Sequence, residues 1–422
     1  MSAMTDSIRV LALCDSPAVR PGTAPTGFAR VARNIFSGWQ ELKPDIEIDI
    51  WGIGFDGWGY DTVPWRVFPA GNQDWNSPAR LNAFLNVLAG GASRTGRPYT
   101  HVWMLMNSDA LCVGEGAKSF PAQLRACCKK QGIKSVLYFP IDCDHQEFQW
   151  METVKAVDEA VTFTEYGARV VKRTLTQSLF PVHVIPHGLD AHFMPCTAEE
   201  KAASQAQIVL DNGRPFASPE DFLMLNVNKN EWRKDLLRSL EILNALRRAK
   251  VPAKMIFRCE ANGLPLNGVP LHRAAAQIGL VDGEHYVQLD AVPEQLLPKL
   301  YQACDLYLTT TMGEGWGLGI TEALGCGVPV AMPMHTSCLE IGDRINQAMG
   351  ENFGVVNYLQ GEDGMVCGKD TRVRPRVDLE DSAALLADRW QEIKNKNFAL
   401  PESIRQWLSW ERVAGEFLKL MQ

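Results

Sequence analysis

The stretch from Thr311 to Val330 reads TMGEGWGLGITEALGCGVPV, and it carries the strongest fold signal in the chain. The apolar run Leu306 to Thr309 precedes it and predicts a buried strand, while the residues from Leu318 onward predict a helix. Glycines at alternate positions between the two leave backbone N–H groups exposed where that helix begins. Helix N-termini of this kind bind phosphate groups, so the stretch predicts an anion site at the end of a strand.

Two carboxylates accompany the predicted phosphate loop. Glu314 lies in the loop, and Glu322 lies about two helical turns further along, so both side chains can point into one cleft. Carboxylates accept hydrogen bonds from sugar and ribose hydroxyls. The alternative is that Glu314 caps the helix and Glu322 is a satisfied polar residue in a packed α/β unit. The glycines and the spacing favour ligand binding.

On both sides of this stretch, apolar strand-like runs alternate with helical patterns along nearly the whole chain. Such alternation predicts parallel sheets covered by helices. Gly52 to Asp74 interrupts the first series and predicts a long ordered loop, and the polar stretch Cys196 to Asp221 separates it from a second series starting at Phe222. We therefore predict an α/β protein with two doubly wound domains facing a cleft, in which ligands bind at the carboxyl ends of the strands. The predicted domains are residues 1–190 and 191–405, followed by a closing helix at 406–422.

Composition limits the possible functions. A chain of 422 residues with 46% hydrophobic and 22% charged residues is long enough for two globular domains. Its formal net charge of -7 argues against a general binder of nucleic-acid backbones. Eleven cysteines without metal or disulfide spacing favour a reducing, cytoplasmic location. The sequence contains no uninterrupted run of about 18 apolar residues, so it predicts no membrane span.

Several motifs resemble those of one enzyme family. Glu314 to Glu322 resembles the E-x7-E signature of retaining GT-B glycosyltransferases of family four, a fold of two Rossmann-like domains. Lys229 and Lys234 match a basic pair of that family, although Lys229 stands where arginine is more usual. Three further stretches match in order: Thr26 to Val31 resembles the first glycine loop, Val184 to Asp190 (VIPHGLD) an interdomain element, and Ser409 to Ala414 (SWERVA) a helix crossing back to the first domain.

The resemblance implies transfer of a hexose-type sugar from a nucleotide diphosphate to an acceptor hydroxyl, with retention of configuration. By the same resemblance Glu322 binds the ribose, Glu314 the donor sugar, and Lys229 and Lys234 the departing diphosphate. Lys229 ends a buried-looking predicted strand and Lys234 begins the next predicted helix, so both charges can reach a diphosphate. The alternative is a solvated helix start, with Arg233 and Lys234 exposed. The other residues assigned to the donor are Gly27, Asn228, Gly315, Trp316, Gly317 and Leu318.

Polar residues of the first domain are candidates for the sugar and acceptor side. Asp142 follows the predicted strand Ser135 to Ile141, and we assign it to the catalytic centre, near the transferred sugar. A buried aspartate that caps the next turn fits the sequence equally well. Asp109 and His145 are the candidates for binding the acceptor.

Three other patterns are not given the function that the motif suggests. Gly52 to Gly57 matches G-x-G-x-x-G, but the Trp-rich residues after it, interrupted by Pro64, cannot open the helix that a dinucleotide site needs. Asp142-Cys143-Asp144 spells D-x-D, yet a basic diphosphate site needs no metal, so we predict neither a metal nor any other cofactor. The isolated residues His101, His272 and His335 are interpreted as structural.

Alternatives remain at this stage. A non-catalytic sugar-nucleotide binder or scaffold of the same fold is the main one, and a phosphorylase or an NAD-dependent enzyme is another. The donor is predicted to be UDP- or GDP-linked, with the base selected near Cys259 to Gly263 and Leu289 to Pro293. The acceptor is a glycan, a lipid-linked sugar, a small metabolite or a modified nucleic-acid base. A nucleic-acid base could stack on the tryptophans between Trp51 and Trp75. The alternative is that these tryptophans are core residues.

Overall fold

The fold is known from a computed structural model, which describes residues 7–19, 25–71, 74–176, 181–259, 268–290, 292–350, 354–362, 365–367 and 371–422. The chain forms two compact units. Unit 1 comprises Met1–Ile141, His145–Gly188 and Trp407–Gln422. Unit 2 comprises Asp142–Asp144 and Leu189–Gln406. The short segment Asp142–Asp144 thus belongs with unit 2, although its neighbours in sequence belong to unit 1.

Unit 1 is built on a seven-stranded parallel sheet of order β3-β2-β1-β4-β5-β6-β7. Its strands are β1 Arg9–Asp15, β2 Glu47–Ile53, β3 Arg66–Pro69, β4 His101–Leu105, β5 Lys134–Phe139, β6 Glu159–Thr162 and β7 Val182–Val184. Its helices, numbered along the whole chain, are α1 Gly27–Leu42, α2 Pro78–Gly90, α3 Phe120–Gln131, α4 Glu152–Ala156, α5 Glu165–Thr174 and α14 Trp410–Leu420.

Both faces of this sheet are covered. Successive residues of a strand point to opposite faces. On β4, Val102 and Met104 join the core formed with α2 and α3. Trp103 between them contacts Trp39 of α1 and Phe417 of α14, with ring centroids 5.6 and 5.8 Å apart. The last helix therefore packs on the first sheet.

Unit 2 contains a six-stranded parallel sheet of order β10-β9-β8-β11-β12-β13 and a small antiparallel hairpin. The sheet strands are β8 Phe222–Val227, β9 Ala253–Arg258, β10 Tyr286–Leu289, β11 Leu306–Leu308, β12 Val330–Pro333 and β13 Val356–Leu359, and the hairpin is β14 Val366–Cys367 with β15 Val373–Arg374. The helices are α6 Ala198–Ala206, α7 Leu236–Arg248, α8 Leu271–Gln277, α9 Leu297–Gln302, α10 Leu318–Gly325, α11 Thr336–Met349, α12 Leu379–Lys394 and α13 Glu402–Trp407.

The strand orders confirm the predicted fold class. In each sheet the first strand in sequence, β1 or β8, lies in the interior of the sheet. The next two strands are added on one side of it, and the following strands, from β4 or β11 onward, are added on the other side, which is the doubly wound Rossmann arrangement. Ligands of such sheets bind at the carboxyl ends of the strands beside this reversal. In unit 2 that position lies after β8 and β11, where the basic pair and the glycine loop were predicted.

Two sequence interpretations were incomplete. Gly52 to Asp74 is not one loop, because β2 continues to Ile53 and β3 forms an edge strand within it. Cys196 to Asp221 is not wholly irregular, because it contains α6, whose capping box joins Thr197 and Glu200 reciprocally. Strand β2 is buried on both faces, and its buried residue Asp49 is paired with Arg66.

A buried histidine predicts that the stability of unit 1 depends on pH. His187 lies against the ring of Phe163, and its Nδ1 is 2.6 Å from the hydroxyl of Tyr138. Burial lowers the pKa of His187 to about 3. An unfolded histidine titrates near pH ~6.5, so between these values only the unfolded chain binds the proton. Acidification through this range therefore favours unfolding.

We expect this group alone to lower the free energy of unfolding by about 1.4 kcal/mol per pH unit as the pH falls below ~6.5. His187→Asn removes the titration and should flatten the slope, whatever its stability at neutral pH. The measurement is the urea midpoint of both proteins between about pH 7 and pH 4. Equal slopes in the two proteins would show that His187 does not cause the dependence.

Candidate functional site

The glycine loop between β11 and α10 lies at the carboxyl edge of the second sheet. Residues 311–316 are buried, and Gly317 caps α10 with a φ of +94°. A side chain at Gly317 would be strained at this φ and would meet Ile320 at 2.8 Å. The backbone N–H of Met312 donates to the carbonyl of Arg233 at 2.7 Å. The loop is thus held against the segment that carries the predicted basic pair.

Lys234 and Glu314 form a buried ion pair between these two segments. Lys234 ends the short 3₁₀ turn Trp232–Lys234 after β8. Burial lowers the pKa of the Lys234 amine, and the carboxylate of Glu314 opposes that effect. The structure thus brings together two residues that the sequence assigned separately, to the diphosphate and to the donor sugar.

Asp142 lies in a cluster of arginines. Its carboxylate is 3.2 Å from Nη2 of Arg374 and 3.8 Å from Nε of Arg233. Burial tends to raise the pKa of Asp142, but Arg233, Arg374 and Arg372 outweigh burial and lower it. Asp142 is therefore an ionised partner of arginines in unit 2. A role at the reacting sugar stays a prediction.

Gly313 fixes the approach of the Asp142 segment to the glycine loop. A Cβ at Gly313 would lie 1.9 Å from the carbonyl oxygen of Asp142. Because that oxygen belongs to the backbone, no change of side-chain rotamer could relieve the clash. The carbonyl of Gly313 accepts a hydrogen bond of 3.0 Å from Nη1 of Arg233. Glycine at this position thus serves close backbone packing, in addition to any exposure of N–H groups.

Glu322 lies on α10 and is buried. Its Oε2 accepts a hydrogen bond of 2.7 Å from the hydroxyl of Tyr301. Burial, Glu314 and Glu322 together raise the pKa of Tyr307, so both carboxylates lie in the vicinity of this ring. The two glutamates of the E-x7-E stretch therefore belong to one neighbourhood of unit 2.

The remaining unit 2 candidates differ in their burial. Asn228 is half-buried and donates to Asn226 at 2.7 Å. Gly315 and Trp316 are buried in the loop, and Leu318 is the first residue of α10. Lys229 was expected to end a buried strand, and this was wrong: β8 ends at Val227 and Lys229 is exposed.

Three predicted residues belong to unit 1. Gly27 opens α1, whose N-cap Thr26 accepts from the N–H of Ala29. Asp109 begins the 3₁₀ turn Asp109–Leu111 and is half-buried, whereas His145 is exposed. Of the tryptophans considered for stacking, Trp51 and Trp65 are core residues. Trp58 is 64% exposed.

Sequence reasoning missed the two arginines that hold Asp142. Arg233 was considered an exposed residue, but it contacts Asp142, Glu231 and the carbonyl of Gly313. Arg374 is fully buried and lies on β15, far away in sequence, so no local pattern indicates it. The only feature of the sequence that could have indicated either arginine is the position of Arg233 directly before Lys234.

The described residues also bear on metal binding and membrane contact. Among the described residues, no group of three or more His, Cys, Asp or Glu side chains is arranged to hold a metal ion. In the described part of the chain, no helix is both long and apolar enough to cross a bilayer. The predicted base-selecting segments lie partly outside the described residues, since 260–267 and 291 are not among them.

Comparison with known proteins relates the chain to glycosyltransferases. No protein-family model matches it. The chain is 29% identical over 182 residues to D-inositol 3-phosphate glycosyltransferase of Segniliparus rotundus, covering 42% of this chain and 37% of that protein. A second protein of the same name from Xylanimonas cellulosilytica is 27% identical over 180 residues, or 41% of its length. The chain therefore spans about two fifths of the length of these relatives.

Solved structures match over almost the whole chain. Sucrose-phosphate synthase from Thermosynechococcus elongatus has a TM-score of 0.69 at 12% identity, covering 98% of both chains. The catalytic domain of starch synthase IV from Arabidopsis thaliana has a TM-score of 0.63 at 12% identity, again covering 98% of both chains. At this identity the likeness establishes the fold. The chain is a protein of the GT-B fold, with two Rossmann-like domains, and it is related in sequence to proteins named as glycosyltransferases.

Proposed function

We propose that the protein transfers a hexose from a nucleotide diphosphate sugar, UDP- or GDP-linked, to an acceptor hydroxyl, with retention of configuration. The observation that carries this proposal is the buried Lys234–Glu314 pair beside the glycine loop that opens α10. A binding loop for diphosphate and a carboxylate for sugar hydroxyls then lie side by side in unit 2. The starch synthase structure is titled as bound to ADP and acarbose, which agrees with a nucleotide at this fold.

Each residue of the site has a physical role in this proposal. The N–H groups at the start of α10 bind the diphosphate, because helix N-termini attract anions. Exposed Lys229 adds a positive charge where negative charge grows on the leaving group. Glu314 accepts hydrogen bonds from the sugar, and Lys234 offsets its charge so that it does not repel the diphosphate. Glu322 binds the ribose hydroxyls.

Retention follows if the acceptor attacks from the face that the diphosphate leaves. The acceptor oxygen forms the new bond to the anomeric carbon as the bond to the diphosphate oxygen breaks. The acceptor proton passes to the departing diphosphate, which serves as base. No protein nucleophile takes part, and the protein contributes placement and electrostatic stabilisation of the leaving group.

The experiment is an assay for released nucleoside diphosphate, with UDP-glucose, GDP-mannose and ADP-glucose as donors. D-Inositol 3-phosphate and maltohexaose serve as acceptor probes, because the first is named in the relatives and the second is a neutral glycan. We expect turnover of one donor, with the first sugar product in the donor's own anomeric configuration by NMR. Glu314→Gln should remove turnover in a folded protein. Release of the opposite anomer, or turnover unchanged in Glu314→Gln, would contradict the proposal.

A further inference from the structure

His335 is held beside the proposed sugar-binding carboxylate. It follows β12 and directly precedes α11. The two residues after it, Thr336 and Ser337, form hydrogen bonds with the backbone of Glu314 in the glycine loop. The N–H of Glu314 donates to Oγ1 of Thr336 at 3.3 Å, and Oγ of Ser337 donates to the carbonyl of Glu314 at 3.0 Å. Thr336 has a φ of +52°, which is uncommon for a β-branched residue and is found where surrounding contacts hold it.

The contact at Nδ1 suits a ring whose proton is on Nε2. Nδ1 of His335 lies 3.3 Å from Oγ1 of Thr336. That hydroxyl accepts from the N–H of Glu314, so its own proton can be donated to Nδ1. In a neutral imidazole with Nδ1 as acceptor, Nε2 carries the proton. Nε2 is buried, and it forms no hydrogen bond with any described residue. Buried polar atoms ordinarily have partners, so this one calls for an explanation.

The surrounding charges favour a neutral ligand group over an anion. Burial lowers the pKa of His335 to about 4, although Glu314 and Asp144 both act to raise it. The ring is therefore uncharged near neutral pH and offers no positive charge to a phosphate. The two carboxylates near it repel anions. A sugar hydroxyl is uncharged, and it both accepts and donates hydrogen bonds.

We propose that His335 is a specificity-determining residue, which donates Nε2–H to a hydroxyl oxygen of the transferred sugar while Glu314 accepts from the sugar's hydroxyls. The inference rests on the proposed function and adds a residue to its donor site. A sugar without a hydroxyl at this place leaves the buried N–H unpaired and binds less well.

The test compares a nucleoside diphosphate with its sugar conjugate, because only the conjugate carries the hydroxyls of the transferred sugar. Calorimetry gives the Kd of UDP and UDP-glucose, or of GDP and GDP-mannose, for wild type, His335→Leu and His335→Asn. We expect both substitutions to weaken the sugar conjugate about tenfold and the bare diphosphate less than twofold. His335→Gln keeps an N–H donor of similar reach and should restore part of the loss. His272→Leu, at an exposed histidine of the same unit, serves as the control.

Each outcome has a distinct meaning. Equal weakening of diphosphate and conjugate shows a structural role for His335 and overturns this inference alone. No binding of any nucleotide to wild type overturns the proposed function, and this inference with it. Should the leucine variant not fold, the wild-type histidine ring ¹⁵N spectrum decides the matter. The resonance assigned to Nε2 of His335 should shift with the conjugate and not with the diphosphate, and an unchanged resonance would overturn the inference.

Discussion

Substitution of Lys234 by methionine is expected to lower the free energy of unfolding by about 3–5 kcal/mol, because the carboxylate of Glu314 would lose its buried cation. Both side chains of this pair are mostly removed from solvent, so water cannot compensate for the loss. Methionine retains the length and most of the volume of lysine, and the change is therefore mainly one of charge. Urea unfolding followed by fluorescence measures the effect.

A double substitution separates the charge effect from packing. Lys234→Met with Glu314→Leu leaves no unpaired charge, so it should be clearly more stable than Lys234→Met alone. It should nevertheless bind the sugar donor more weakly than wild type, because the carboxylate proposed to bind the sugar is gone. The control is Lys299→Met, at an exposed lysine of α9, with an expected change within about 0.5 kcal/mol. A stable Lys234→Met protein would show that the pair contributes little.

Gly313→Ala is expected to have the second large effect. Its added methyl group would lie 1.9 Å from the carbonyl oxygen of Asp142, so one of the two backbone segments must move. Overpacking of this kind costs about 1–3 kcal/mol, and a backbone obstacle places this case at the upper end. Movement of the Asp142 segment would also separate its carboxylate from Arg374 and Arg233.

The matched control for Gly313→Ala is Gly361→Ala in the same unit. Neither glycine has a positive φ, and the added Cβ at Gly361 meets its nearest neighbour at an ordinary 3.5 Å. Thermal unfolding of the two variants should therefore differ by several degrees. Equal melting temperatures would indicate that the loop and the Asp142 segment adapt to the added methyl group.

The parts of the site that the sequence predicted are those encoded within short segments. The glycine loop, its helix and both glutamates lie in one stretch, where local patterns of glycine and apolar residues determine the conformation. Helix α6 was missed although its capping box, Thr197 with Glu200, is visible in the sequence.

The partners of Asp142 were not predictable in this way. Arg374 contacts Asp142 across 232 positions of sequence, on a hairpin strand of two residues. Such pairing depends on how the chain folds back and leaves no periodic pattern. The pairing of Lys234 with Glu314 is similar, because its two segments follow different strands. The sequence indicated residue types for phosphate and sugar, and tertiary structure determined which of them pair.

Calorimetric titration with UDP, GDP and ADP tests most directly whether unit 2 holds the nucleotide of a sugar donor. Wild type should bind one of the three clearly more tightly than the others. Lys229→Ala should weaken that binding about tenfold without loss of stability, because Lys229 is exposed. Lys299→Ala, also at an exposed lysine, should leave it unchanged. Binding of none of the three, or equal binding by wild type and Lys229→Ala, would contradict the account of this site.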